Sequence, residues 1–295
     1  MTLASQEPAS VSSKSFSSPV ARDQPASCWG RVQKALRQFC GSILKAGPVP
    51  EHVAIIMDGN RRFATGRQLA RQEGHTFGYR KLEEALEWCL DLGIACVSVY
   101  AFSIENFRRS PTEVDTLMGL AEQKLGELMQ ESSLIQKYGV RVRVLGELSL
   151  LPAAVQQAAH RITAATARHT TCTLNICFSY TSSQEMARAV QRTRLELQQR
   201  PDASDCEVEH LLESHLDTQG VPPVELLIRT SGEHRLSNFL LWQSAFAQLV
   251  FLDVLWPDFS FWSFLCALLD YQRHACHLKG LFQRTAVSRP ASTPG

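Results

Sequence analysis

The sequence predicts an α/β fold: a single domain with a central, mostly parallel six-stranded sheet flanked by helices. Three observations carry this. Six short apolar runs rich in β-forming residues recur along the chain, at Val53–Met57, Cys96–Ala101, Val140–Leu145, Leu174–Phe178, Glu225–Ile228 and Leu249–Leu252. Between them lie segments with apolar residues at helical spacing, Gly78–Leu92, Glu113–Glu131, Pro152–Arg168, Gln184–Gln199 and Glu207–Leu216. Strand, crossover helix, strand is the pattern of a parallel sheet covered on both faces. The chain's 295 residues, 44% of them hydrophobic, are enough for one large unit of this kind with a real core.

The elements follow in order. Residues 1–27 are rich in Ser, Ala and Pro without apolar periodicity, and are expected to be disordered. Such an acid-poor start also suits an organellar transit peptide, although Lys14 and Arg22 are its only basic residues. Residues 28–46 form an amphipathic helix by pattern: Trp29, Val32, Leu36, Phe39 and Ile43 recur at steps of three and four beside Arg31, Lys34, Arg37 and Lys45. That face suits a membrane interface, and it equally suits a partner or the body of the domain. Residues 47–284 carry the α/β pattern as one domain, and 285–295 are expected to be a disordered tail. No run of 18 residues is free of polar interruption, which argues against a spanning helix. The net charge of +1 excludes bulk attraction to nucleic acid, so any anion must be held by local clusters. Nine scattered cysteines without a C-x-x-C pair read as reduced thiols.

In a sheet of this type ligands sit beyond the carboxyl ends of the strands, so the loops there carry the chemistry. The first reads Ile55-Ile56-Met57-Asp58-Gly59-Asn60-Arg61-Arg62-Phe63. A carboxylate, a glycine that lets a ligand approach the main chain, and two arginines at a helix start point to phosphate oxygens with a divalent cation between them and the Asp. An ordinary turn with surface arginines is the alternative for so short a stretch. A phosphatase of the Asp-x-Asp-Gly kind is excluded, because Ile56 stands where the nucleophile would be. The loop after the second strand places Ser103, Asn106, Arg108 and Arg109 before Pro111. The loop after the fifth places Arg229, Arg235 and Ser237 where they could converge on a second anion. Two diphosphates in one crevice would account for arginines at three strand ends.

The segments MDGNRRFA, RQEGH, YAFSIENFRRS, RTSGEHRLSNFLLWQ and VLWPDF resemble, in order, the motifs of the cis-prenyltransferases, the undecaprenyl diphosphate synthase family. The resemblance runs from about Ile43 to about Phe264 and is especially close to the eukaryotic dehydrodolichyl diphosphate synthase catalytic subunits. It implies the addition of isopentenyl diphosphate units to farnesyl diphosphate with new cis double bonds, giving long polyprenyl diphosphates for dolichol synthesis. Asp58 is implied as the Mg²⁺ ligand that helps the allylic diphosphate ionise. Gly59, Asn60, Arg61, Arg62 and Arg71 are implied to hold its oxygens, with His75 hydrogen-bonding or protonating the leaving diphosphate. Ser103 and Asn106 fall where the family positions the isopentenyl group, and Arg109, Arg229, Arg235 and Ser237 where it holds the second diphosphate. Outside the motif, His75 reads as a helix cap. Leu117, Leu120, Ala121, Leu125 and Leu128 form a helical face that could wall a product tunnel.

Two departures shape the partner expected. Bacterial members of the family carry a Glu eleven residues after the serine matching Ser237; here that residue is Gln248. Bacterial members also end in an Arg-x-Gly element, which the stretch from Leu278 to Gly295 lacks. The resemblance therefore implies a heteromer with a Nogo-B-receptor-like subunit that brings its own Arg-x-Gly end, at the cytoplasmic face of the endoplasmic reticulum membrane. A non-catalytic subunit of such a complex is the alternative.

Overall fold

In the computed structural model, the described residues are 36–287 apart from 38, 131, 132 and 201, with no side chain described at 71, 279 or 281–287. The chain divides at Arg37; of the N-terminal unit only Leu36 is described. The expected disordered segments, 1–27 and most of 285–295, lie outside the described residues, as do 28–35 of the amphipathic helix. No described helix is long and apolar enough to cross a membrane.

Six strands form one sheet: β1 (His52–Ile56), β2 (Cys96–Ser103), β3 (Val140–Leu145), β4 (Cys172–Tyr180), β5 (Leu226–Arg229) and β6 (Gln248–Phe251). Their order is β3-β4-β2-β1-β5-β6, and every pairing is parallel, so the expectation of a mostly parallel sheet becomes a wholly parallel one. The chain builds one half of the sheet from β1 through β4, then returns to add β5 and β6 on the other side of β1. The loops that leave β1 and β5 therefore diverge around a crevice.

Side chains alternate between the two faces of each strand. Val53 and Ile55 of β1, with Leu226 and Ile228 of β5, enter the larger core. Ala54, Ile56 and Leu227 enter a smaller one with Phe239 and Leu240 on the opposite face. The larger core is closed by α2 (Arg71–Leu92), α3 (Pro111–Glu127), α5 (Ala153–Ala165) and α8 (Phe261–Val287). The remaining helices are α1 (Asn60–Gly66), α4 (Leu134–Tyr138), α6 (Ser182–Leu197) and α7 (Asp205–Ser214), with short 3₁₀ turns at Ile104–Arg108, Leu148–Leu150 and Trp256–Asp258.

One boundary corrects the sequence reading. The helix expected from Gly78 starts at Arg71, seven residues earlier. Gly74 and Gly78 are not breakers; they let α1 lie against α2. A Cβ on Gly74 would sit 2.4 Å from the Asn60 carbonyl oxygen, and one on Gly78 2.3 Å from Asn60 Oδ1. Glycine in a helix weakens it by up to about 1 kcal/mol, which close packing here offsets. His75 consequently lies inside this helix and is not its cap.

Residues 39–44 are helical. Leu44 packs into the larger core and Cys40 against it, whereas Phe39 and Ile43 are 64% and 58% exposed. The expected stripe thus turns its described apolar residues outward.

Candidate active site

The carboxyl ends of β1, β2 and β5 open into a polar pocket of about 940 Å³. It brings together Asp58, Gly59, Asn60, Arg61 and Arg62 from the first loop, His75 from α2, Ser103, Asn106 and Arg109 from the second, and Arg229, Arg235 and Ser237 from the third. Arg71 opens α2, but its side chain is outside the described residues.

Asp58 stands at the head of the crevice. Its backbone N–H donates to Thr230 Oγ1 at 3.1 Å, and its carbonyl accepts from Thr230 Oγ1 at 2.8 Å and from the Trp256 N–H at 2.9 Å. The carboxylate accepts from Arg229 Nη2 at 2.9 Å. Gly59 follows with φ +107°, a left-handed value that L side chains resist, and a Cβ there would meet Leu255 at 2.9 Å. The first loop is therefore anchored largely by its main chain.

Arg229 differs from the expectation of a direct anion ligand. It is 3% exposed, and its fork is engaged within the protein: Nη2 on Asp58, Nη1 on Ser237 Oγ at 2.7 Å and on the Arg235 carbonyl. It links the β1 and β5 loops and orients Asp58 and Ser237. The Ser237 turn is held in left-handed conformations at Ser237, Asn238 and Leu240. The start of α6 grips it: Ser182 N–H donates to the Asn238 carbonyl at 2.8 Å, Ser183 N–H to Asn238 Oδ1 at 3.0 Å, and Leu241 N–H to Ser182 Oγ at 3.0 Å. Glu185, buried in the same helix, accepts from Gln243 at 3.1 Å. Burial raises the Glu185 carboxyl above its usual range.

Ser103 and Asn106 form a reciprocal cap on the 3₁₀ turn. Asn106 Oδ1 accepts from the Ser103 N–H at 3.1 Å, and Ser103 Oγ accepts from the Glu105 N–H at 3.1 Å. The Asn106 amide nitrogen and the Ser103 hydroxyl proton are what these residues can offer a substrate. Arg61, Arg62 and Arg235 are more than half exposed at the rim. Sequence reasoning missed the carboxylates among them. Glu113 pairs with Arg109 at 3.0 Å and lies 3.8 Å from Arg61, while Glu233 pairs with Arg62 at 3.3 Å and with Arg235. Thr230 was missed too, as was Tyr100, whose hydroxyl donates to the Tyr180 carbonyl at 3.1 Å and stacks its ring on Phe239. The alternation of Glu with Arg in RTSGEHR was the only signal for the first of these.

Burial, then the positive charge of Arg109, lowers the His75 pKa from 6.5 to about 4. At neutral pH the ring is uncharged, so it can donate a hydrogen bond to an anion but holds no surplus proton. Burial and the neighbouring Arg61 charge likewise pull Arg109 below its ordinary value.

Below the polar pocket lies an apolar cavity of about 160 Å³ between the sheet, α2 and α3. Met57, Asn60, His75, Ala101, Phe102 and Leu117 line both, so the two adjoin. The expected wall residues Leu117, Leu120, Ala121, Leu125 and Leu128 all face the cavity. A cationic crevice opening into a greasy one suits a ligand with an anionic head and a hydrocarbon tail.

Residues 56–278 match the prenyltransferase family model described as undecaprenyl diphosphate synthase. The chain belongs to this family of cis-prenyltransferases. It is 52% identical over 236 residues to the dehydrodolichyl diphosphate synthase complex subunit of Homo sapiens, covering 80% of this chain and 71% of that protein. It is 44% identical to a geranylgeranyl-diphosphate-specific tritrans,polycis-undecaprenyl-diphosphate synthase of Pyrococcus abyssi, covering 78% of this chain and 87% of the other. The crystal structure of lavandulyl diphosphate synthase from Lavandula x intermedia, in complex with dimethylallyl diphosphate, superimposes with a TM-score of 0.69 at 33% identity, covering 76% of this chain and 95% of that one. As a cis-prenyltransferase, the chain lengthens prenyl diphosphates, and the two adjoining pockets are the parts of the fold suited to that work.

The donor set in the pocket fits a hard cation that arrives with its phosphates. Mg²⁺ typically uses one or two carboxylates and completes its shell with phosphate oxygens and water. Asp58, at 36% side-chain exposure, is available as such a ligand. Among the described residues no cluster of three His, Cys, Asp or Glu could hold a metal by itself.

Proposed function

We propose that this chain is the catalytic subunit of a dehydrodolichyl diphosphate synthase, condensing isopentenyl diphosphate onto farnesyl diphosphate. The carrying observation is that the arginine-lined pocket adjoins the apolar cavity and shares six lining residues with it. The diphosphate of the allylic substrate lies against Asp58, Gly59, Asn60, Arg61, Arg62 and Arg71, with its tail directed into the cavity past His75 and Leu117. Negative charge grows on that diphosphate as the carbon–oxygen bond breaks. Preplaced guanidinium groups and backbone N–H groups at the start of α1 stabilise it without reorganising. Asp58 is the residue to hold Mg²⁺, which supplies further neutralisation of the leaving group when bound. Neutral His75 donates a hydrogen bond to the departing oxygen. Arg109, Arg235 and Ser237 hold the isopentenyl diphosphate, with Arg229 fixing Ser237 and Asp58 at their separation. Ser103 and Asn106 orient its double bond towards the new cation and assist the proton loss that closes the step.

The name of the human relative describes a complex subunit, and Gln248 is consistent with a site that draws on a partner. In the structure Gln248 donates to Asp270 at 2.8 Å, an internal use. The partner proposed is a Nogo-B-receptor-like subunit, and the place of work the cytoplasmic face of the endoplasmic reticulum membrane, to which the exposed Phe39 and Ile43 would bind peripherally. The test is equilibrium binding of a non-ionising thio analogue of farnesyl diphosphate with and without Mg²⁺. Mg²⁺-dependent binding that weakens at least tenfold on Arg62→Ala supports the reading; binding indifferent to both contradicts it.

A further inference from the structure

Among the described residues, the wall of the apolar cavity carries charge away from its mouth at one place. Beyond Asn60 and His75, which it shares with the polar pocket, its lining is apolar except for Tyr79 and Glu83 on α2 and Lys124 on α3. The Tyr79 hydroxyl and the Glu83 carboxylate, one turn apart on α2, are close enough for each to shift the other's ionisation. The Lys124 ammonium lies 4.7 Å above the Tyr79 ring and 2.6 Å from Glu127. Glu83 is half-buried, and burial raises its carboxyl above the usual range. The backbones of α2 and α3 hardly touch, so these side chains span the gap between the helices.

An ordinary solvated helix face explains Glu–Lys pairs at such spacing when they point outward. It does not explain a carboxylate and an ammonium turned onto an apolar cavity, where each costs desolvation that only partners offset. At 1.5 Å per residue, Glu83 lies about 12 Å along α2 from His75, and Lys124 about 10 Å along α3 from Leu117. Both therefore stand at one depth, below the mouth and above Leu86, Leu128 and Ile135 at the inner end.

We propose that Tyr79, Glu83 and Lys124 form a polar collar that sets how long a hydrocarbon chain the cavity accepts. The proposal rests on the reading of the two pockets as diphosphate site and tail cavity. Methylenes above the collar exchange water for apolar wall and gain affinity. Those that pass it must displace the hydration and mutual contacts of the charged groups, so the gain stops there.

The test uses the full chain and a series of n-alkyl diphosphates of increasing length. In the wild type, affinity should rise by about 4-fold per methylene and then level off. Glu83→Leu and Lys124→Leu, which replace charge with apolar bulk, should move the levelling point to longer chains, and Glu83→Gln should move it less. Products extracted after long incubation with labelled isopentenyl diphosphate should lengthen in the same order. A purely structural role for the collar would lower the melting temperature of the variants and leave the levelling point in place, which overturns the proposal. So would a wild type with no levelling point. If no member of the series binds, the diphosphate site itself is misassigned, and the collar proposal falls with it.

Discussion

Replacing Asp58 with Asn separates chemistry from folding in this site. Three main-chain hydrogen bonds, two with Thr230 and one with Trp256, hold residue 58 whatever its side chain. The carboxylate adds a single charge-assisted bond from Arg229. Such bonds contribute about 1.5–3 kcal/mol when buried. With the Asp58 side chain 36% exposed, solvent screening brings this towards about 1 kcal/mol. Arg229 keeps Ser237 and the Arg235 carbonyl, so it is not stranded. For a domain of this size about 1 kcal/mol lowers the melting temperature by roughly 2–4 °C. Catalysis should suffer far more: losing a preplaced charge in the reacting centre typically costs 10²–10³-fold, or about 2.7–4 kcal/mol of transition-state stabilisation. Product formation under saturating Mg²⁺, measured beside thermal melting, gives both numbers. A folded Asp58→Asn protein with near-normal turnover would refute the reasoning.

Other expectations follow from the same geometry. With the His75 pKa at about 4 in the free protein, kcat/KM should show no ionisation of this residue between pH 5.5 and 8, and an inflection near 6.5 that disappears in His75→Asn would contradict the neutral ring. His52, fully buried between the Pro222 carbonyl and Ser98 Oγ, is also lowered to about 4, by burial first. A depressed histidine makes the unfolded chain bind the extra proton, so His52 and His75 should each take up to about 1.4 kcal/mol of stability per pH unit as pH falls from 6.5 towards 4; chemical denaturation at stepped pH measures this, and a flat profile rules it out. Phe39→Ser with Ile43→Ser should weaken liposome flotation at least tenfold without unfolding the domain, because Cys40 and Leu44, not these two, face the core. Specific activity should be low for the chain alone and rise strongly with a Nogo-B-receptor-like subunit; full activity alone would show that Gln248 in place of the bacterial Glu is no handicap.

Most of the sheet was legible because its strands are buried on both faces and read as continuous apolar runs, as in Val53–Ile56 and Leu226–Ile228. The start of α2 was not, since Gly74 and Gly78 look like breakers until Asn60 is seen against them. Within the site, motif residues converge where the strand-end rule places them. What the sequence could not carry is how their bonds are divided. Arg229 reads as one more cation, and only its burial between Asp58 and Ser237 turns it into a tether. The grip of Ser182, Ser183 and Glu185 on the Ser237 turn joins segments more than fifty residues apart and leaves no periodic trace. The carboxylates Glu113 and Glu233 were half hidden: each has an arginine near it in sequence, Arg109 and Arg235, but the second arginine it meets, Arg61 or Arg62, comes from the first loop.

Whether this pair of pockets builds a hydrocarbon chain on a diphosphate is decided by incubating the chain, alone and with a Nogo-B-receptor-like subunit, with labelled isopentenyl diphosphate, farnesyl diphosphate and Mg²⁺. Organic-extractable polyprenyl diphosphates whose added units are cis are expected, formed with Mg²⁺ and not in its absence. Failure to incorporate label under both conditions, with farnesyl diphosphate recovered unchanged from a folded protein, would contradict this role.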